Sequence, residues 1–199
     1  NLSDGDNFGE DVALDGDTIA VTALGEDSAT NTIIHGSDFS TTNEAAPDKG
    51  AVYVFKRTGS TWAHEAYFKA PNNANDDVFG DFVSLSGDTI AVGATTENSS
   101  TTTIIHGSDL SGSNSDGPGR GAVYVFKRDG TTWSNEAYLK APNGTNSDFF
   151  GSVSIDGNTI AVGARGEDST TTGIIHGGDL SATNDSGVTN GAVYVFKRE

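Results

Sequence analysis

The word GAVYVFKR occupies residues 50–57 and returns unchanged at 121–128 and 191–198. Its centre, Val52-Tyr53-Val54-Phe55, is a run of β-branched and aromatic side chains, the kind that packs well on a pleated sheet. Read outward, each copy of the word has the same neighbours. Phe8-Gly9, Phe79-Gly80 and Phe150-Gly151 stand 71 residues apart. DTIAV starts at Asp17 and Asp88, and NTIAV at Asn158. EAYFKAPN at 65–72 returns as EAYLKAPN at 136–143. The third copy is one residue shorter near its start, where FGSVSI replaces FGDFVSL. A fixed period of this size marks a repeat architecture. The copies run over 1–71, 72–142 and 143–199.

Each copy reads as four short strands. The first follows the Phe-Gly, and the second is DTIAVTA or its equivalent. Between them lie Asp15-Gly16, Ser86-Gly87 and Asp156-Gly157, which are tight hairpin signals. The third strand is AVYVFK, and the fourth is WAHEAYFKA or WSNEAYLKA. No stretch carries a helical period. Four antiparallel strands repeated in tandem predict an all-β fold of β-propeller blades. The competing architecture is a flat stack of sheets or a β-solenoid, whose coils are usually shorter and lack two tight hairpins each. The third copy stops at Glu199, where its last strand should begin. An unpaired rim and uncovered blade faces favour association. The chain is therefore expected to associate with copies of itself or to be part of a longer chain.

Composition narrows the function. With 28 acidic and 11 basic residues, the formal charge is −17. That excludes nucleic acid and anionic membrane surfaces as partners, since both call for a basic face. The chain has no cysteine and no methionine, so thiolate metal sites, disulfides and cysteine nucleophiles are excluded. No apolar run approaches the roughly 20 residues that span a bilayer, so no membrane insertion is expected. No signal peptide is visible, which fits a cytosolic chain, a processed one, or a piece from the middle of a longer protein.

At Phe79-Gly80 with Gly93-Ala94, and Phe150-Gly151 with Gly163-Ala164, the chain resembles the FG-GAP repeat, which builds the integrin α-chain propeller and many bacterial surface proteins. The proline of that pattern is missing, with Leu24, Thr95 and Arg165 in its place, and the first copy has Thr22 for the first glycine. The resemblance implies a propeller that binds partners through loops on one face, usually outside the cell. Family members often hold Ca²⁺ in a D-x-D-x-D-G loop within the first hairpin. Here that hairpin is a bare two-residue turn, so those sites do not carry over.

The strand order places the loops between second and third strands on the same face as the loops between copies. The former, about Leu24 to Lys49 in the first copy, is far longer than a usual connection, and such loops are commonly functional. Each contains an Ile-Ile-His: Ile33, Ile34 and His35; Ile104, Ile105 and His106; Ile174, Ile175 and His176. These read as buried anchors for the loop, the isoleucines by packing and the histidines by hydrogen bonding rather than as metal ligands. A catalytic reading fails because an active site gathers different groups at one point, not one group per repeat. No HExxH is present, and zinc would need further nitrogen or sulfur ligands.

Oxygen ligands are plentiful on this face. Asp4, Asp6, Asp76, Asp77, Asn146 and Asp148 lie in the loops between copies, and Glu26, Asp27, Glu97, Glu167 and Asp168 in the long loops. Ca²⁺ takes about six to eight such oxygens, and is the cofactor this set suits. A solvated acidic face with Asx-turns is the other reading. Lys56-Arg57, Lys127-Arg128 and Lys197-Arg198 close the third strands on the opposite side, either as a basic face or as gatekeeping charges at strand ends.

These features favour a non-enzymatic extracellular or cell-surface module, binding a protein or glycan through the loop face. The alternative is a structural subunit of an extracellular fibre or matrix, joined through blade edges or opposed acidic and basic faces. A third reading is a non-catalytic propeller attached to an enzyme elsewhere in a longer chain.

Overall fold

The computed structural model describes residues 4–38, 49–72, 77–107, 109–110, 119–177, 180 and 189–198. These form thirteen strands and no helix. The first copy holds β1 (Phe8–Asp15), β2 (Thr18–Ala23), β3 (Ile34–His35), β4 (Ala51–Thr58) and β5 (Thr61–Phe68). The second holds β6 (Phe82–Ser86), β7 (Thr89–Ala94), β8 (Ile105–His106), β9 (Ala122–Asp129) and β10 (Thr132–Leu139). The third holds β11 (Phe150–Asp156), β12 (Thr159–Ala164) and β13 (Ala192–Lys197). Each copy is one antiparallel sheet, ordered β1-β2-β4-β5-β3, β6-β7-β9-β10-β8 and β11-β12-β13. The fold is β-propeller-like, and each sheet is a blade.

Two differences from the sequence reading stand out. A blade carries a fifth strand, because Ile34–His35 and Ile105–His106 leave the long loop to pair with the outer edge of β5 and β10. A two-residue strand has no periodicity to read, and only an exposed edge can create it. The single-residue deletion in the third copy is absorbed in a bulge. The register slips between Phe8 and Val12 in β1 and between Phe150 and Ser152 in β11, after which Val12 faces Val21 and Val153 faces Val162. An extra residue is cheap there, since a bulge leaves the downstream ladder in phase.

Blades pack face to face. One face of the first blade, with Ala20, Val52, Val54, Ala66 and Phe68, is buried against Val83, Leu85, Val92, Tyr124 and Phe126 of the second. The second blade repeats this with Val123, Val125 and Leu139 against Ile155, Ile160 and Val162 of the third. Phe68 stacks on Phe126 with centroids 4.5 Å apart. The backbones come unusually close at one point. Gly50 and Gly121 adopt φ of 69° and 80°. A Cβ there would lie 2.0 Å and 2.1 Å from the carbonyl oxygens of Phe79 and Phe150. Only glycine meets both conditions, which explains why the recurring word begins with it.

Candidate functional site

The loop face is built on a scaffold of short backbone bonds. Gly25 and Gly166 donate N–H to the carbonyls of Asp6 and Asp148, linking the long loops of the first and third copies to the loops that precede those blades. Gly50, Gly121 and Gly191 donate to the carbonyls of Glu26, Glu97 and Glu167, so each long loop starts and ends at one glutamate. Beyond it the three loops turn alike: Thr30, Thr101 and Thr171 donate N–H to the hydroxyls of Ser28, Ser99 and Ser169.

Within the first two blades the same glutamates hold lysines, and Glu97 and Glu167 also reach across the blade joints. Lys69 reaches Glu26 Oε2 at 2.6 Å and Lys140 reaches Glu97 Oε2 at 2.7 Å, both pairs buried. Burial pushes both lysines below the usual range, and the facing glutamate opposes that shift. Asn72, from the end of the first copy, donates Nδ2 to Glu97 at 3.1 Å and accepts from the Tyr124 hydroxyl at 2.5 Å. Asn143 does the same with Glu167 at 3.1 Å and Tyr194 at 2.7 Å. Desolvation, then the Glu97 charge, raises the pKa of Tyr124 and of Tyr138, so both phenols stay neutral. Lys69, Lys140, Asn72 and Asn143 were not singled out from the sequence, although EAYFKAPN recurs as clearly as the loop words.

The carboxylates read as calcium ligands divide accordingly. Glu26 and Glu97 hold lysines, Glu167 accepts from Asn143, and Asp148 accepts from the Thr145 amide and hydroxyl at 2.7 and 3.1 Å. Asp6 and Asp77 are buried, while Asp27 and Asp168 are half-buried and Asp4 is exposed. Asn146 accepts from Arg120 Nε at 3.2 Å. Asp76 lies outside the described residues. Among the described residues, no three His, Cys, Asp or Glu side chains gather closely enough to hold a metal ion.

The Ile-Ile-His words take up the rim. Ile33 packs into the joint between the first two blades, and Ile105 packs into it from the other side. Ile34 packs on the Tyr53–Tyr67 cluster. His35 crosses the joint: the Trp133 amide donates to its Nε2 at 2.9 Å. The expectation of buried anchors fails for Ile174, 87% exposed, and is met only in part by Ile104 and Ile175, 42% and 37% exposed. Among the described residues, those in the third copy have no fourth strand beside them, whereas pairing with that strand seats Ile34-His35 and Ile105-His106.

On the opposite side Lys127 and Lys197 are exposed, whereas the arginines that follow them turn to the joints. Arg128 pairs with Glu65 of the preceding blade at 3.0 Å and with Asp88 at 2.7 Å, and its side chain is 8% exposed. The hydrogen bond from Arg128 holds Asp88 below the usual carboxylate range. Arg198 pairs with Glu136 at 2.7 Å. These arginines join blades rather than present charge.

The FG-GAP repeat family pattern matches residues 1–55, 62–126 and 133–196, one match per copy and most of the chain. No curated protein and no solved structure matches it. Repeats of this kind are generally found in non-enzymatic binding and adhesion modules of extracellular or surface proteins. Among the described residues, no helix is long and apolar enough to cross a membrane.

Proposed function

Because the chain belongs to the FG-GAP repeat family, we propose that it is an extracellular adhesion or binding module whose partner, a protein or a glycan, meets the long loops. One observation carries this reading. All three long loops spring from a glutamate bonded to a glycine at the far end of the loop, through Gly50, Gly121 and Gly191. The roots of these loops are thereby fixed. Fixed roots reduce the ordering cost of binding. Where the chain binds an anionic ligand, Ca²⁺ acts as a bridge. Its oxygens come from single exposed carboxylates such as Asp4, from water and from the ligand, since the chain's own described carboxylates do not surround an ion.

The test is a binding screen of the chain against extracellular-matrix proteins and glycans, with and without Ca²⁺. Ile104→Lys should abolish a hit without lowering the melting temperature. Lysine at Thr131, in the turn on the opposite side, should leave it intact. Loss of binding through the Thr131 variant alone would refute the loop-face reading.

A further inference from the structure

Three chemically different side chains meet at the joint between the first and second blades. Lys140 follows β10, Glu97 opens the long loop after β7, and Asn72 lies beyond β5. One carboxylate holds the other two residues by its two oxygens. Lys140 Nζ lies 2.7 Å from Glu97 Oε2, and Asn72 Nδ2 lies 3.1 Å from Glu97 Oε1. From the far side the Tyr124 hydroxyl donates to Asn72 Oδ1 at 2.5 Å. Lys140, Glu97 and Tyr124 are 2%, 1% and 0% exposed.

These are the parts of an amide exchange. An amine is the nucleophile, and a carboxylate within hydrogen-bond reach can take its proton and pass it on. A carboxamide is the electrophile. A hydroxyl already sits on the oxygen where negative charge would develop. The leaving nitrogen, Nδ2, is the one turned to the carboxylate that must protonate it. Exclusion of water strengthens each of these contacts and removes the competing hydrolysis.

We infer that Lys140 and Asn72 join in an intramolecular isopeptide bond between Nζ and Cγ, with Glu97 as the proton carrier and one ammonia released. The ion pair in the structure is the state before reaction. Glu97 takes a proton from the lysine, and the neutral amine adds to the Asn72 carbonyl. Its oxygen becomes an oxyanion held by Tyr124. Glu97 gives its proton to Nδ2 and takes one from Nζ. The oxyanion collapses, the Cγ–Nδ2 bond breaks and ammonia leaves. Ammonia then takes the proton from Glu97, so the carboxylate is restored. No oxidant or other reactant is needed. Burial lowers the pKa of Lys140, against the Glu97 charge, which eases the first proton transfer.

The neighbouring glutamates show each half of this arrangement separately. Glu26 holds Lys69 at 2.6 Å. Glu167 holds Asn143, which accepts from the Tyr194 hydroxyl. Among the described residues, only Glu97 holds both an amine and a carboxamide. The tie of asparagine, tyrosine and glutamate stands at the second joint without a lysine, so the lysine at Glu97 is not needed to hold it. The new bond would close the chain between residues 72 and 140 and lock the first joint covalently. Such a closure restricts the unfolded chain as a disulfide does, in a sequence that has no cysteine.

Mass spectrometry of the intact and trypsin-digested chain tests this. The wild-type chain should be lighter than its sequence by one ammonia. An acylated Lys140 resists trypsin, so residues 70–120 and 129–165 should appear as one branched peptide. Asn72→Ala and Lys140→Arg should give the full mass and separate linear peptides. Glu97→Gln, with folding checked by far-ultraviolet dichroism, should slow cross-linking by about 10²-fold or more. A wild-type chain of full mass, cleaved after Lys140, would overturn the inference and leave a purely polar tie. A chain that has lost ammonia but is cleaved after Lys140 would also overturn it, since a cyclised asparagine then accounts for the mass. So would a branch through another lysine or another acceptor, or a Glu97→Gln chain that cross-links as fully as the wild type. None of these outcomes bears on ligand binding by the loop face.

Discussion

The joint between the first and second blades and the joint between the second and third follow one plan with unequal parts. Both have the asparagine that ties a tyrosine to a glutamate, and both have an arginine on a strand-four glutamate. Near the first hairpins they differ. In the first joint, Asp11 and Asp15 accept the amides of Val83 and Gly87 at 2.8 and 2.6 Å. In the second, Ser84 and Ser86 accept those of Ile155 and Gly157 at 3.0 and 3.1 Å. Carboxylate acceptors make stronger bonds than hydroxyls. The first joint also gains Trp133, whose indole donates to Glu65 at 3.1 Å and whose ring packs on Phe68. What repeats without change is the polar grip that fixes blade spacing. What varies is how strongly each inner strand is held, so the second joint should open first.

The largest effect is expected at Lys140. Its partner Glu97 also holds Asn72 across the first joint. Lys140→Met leaves a buried carboxylate without its cation, a loss of about 3–5 kcal/mol. At this chain length that is a fall of roughly 10 °C in melting temperature. Adding Glu97→Met should recover part of it, because no buried charge is then left alone. A Lys140→Met protein whose Val83 and Gly87 amides exchange at the wild-type rate would show that the ion pair does not support the first joint.

A paired substitution compares the joints directly. Glu65→Ala removes the acceptor of both Arg128 and Trp133 in a buried setting, and should cost about 2–3 kcal/mol. Glu136→Ala removes only the Arg198 pair, which is more exposed, and should cost about 1 kcal/mol or less. Urea melts of both decide; equal losses would mean that the joints are equivalent. Replacing Asp11 and Asp15 with serine gives the first joint the acceptors of the second, at an expected cost of about 1 kcal/mol. Here hydrogen exchange at Val83 and Gly87 is the readout, and it should rise to the level of Ile155 and Gly157.

The blades were legible because their signals are local and repeated: a β-rich word, Gly turns at a fixed offset, and a period of 71 residues. The joints were not, because their partners are far apart in sequence. Glu97 and Lys140 are 43 residues apart, and a lysine two places before a proline looks like a solvated strand end until the fold buries it. Arg128 looked like surface charge for the same reason, since Glu65 lies 63 residues away. The acidic loop words drew attention as metal ligands because oxygen-rich residue types serve Ca²⁺, loop turns and buried ion pairs alike. Only geometry separates these uses.

The smallest expected effect lies at the rim, where His64 of the first copy corresponds to Asn135 of the second. His64 Nδ1 donates to the Gly36 carbonyl at 2.8 Å, and Asn135 Nδ2 makes the matching bond to Gly107 at 2.5 Å. The histidine ring packs edge-on against Tyr53 and Phe55. Burial there lowers its pKa, and the bond to Gly36 only partly opposes this. As pH falls, the unfolded chain takes up this proton first, near the ordinary histidine value of about 6.5. The folded chain resists it, so stability contributed by neutral His64 is full above that pH and is lost as the pH drops below it. Asn135 does not titrate, so the second rim lacks this dependence. His64→Asn copies the second rim into the first and keeps the bond to Gly36. Melting temperatures between pH 7 and pH 5 should therefore fall less steeply for the variant than for the wild type, with the two close together at pH 7. Parallel curves would place the acid sensitivity in the carboxylates of the joints, Asp88 among them, and would remove His64 as the difference between the rims.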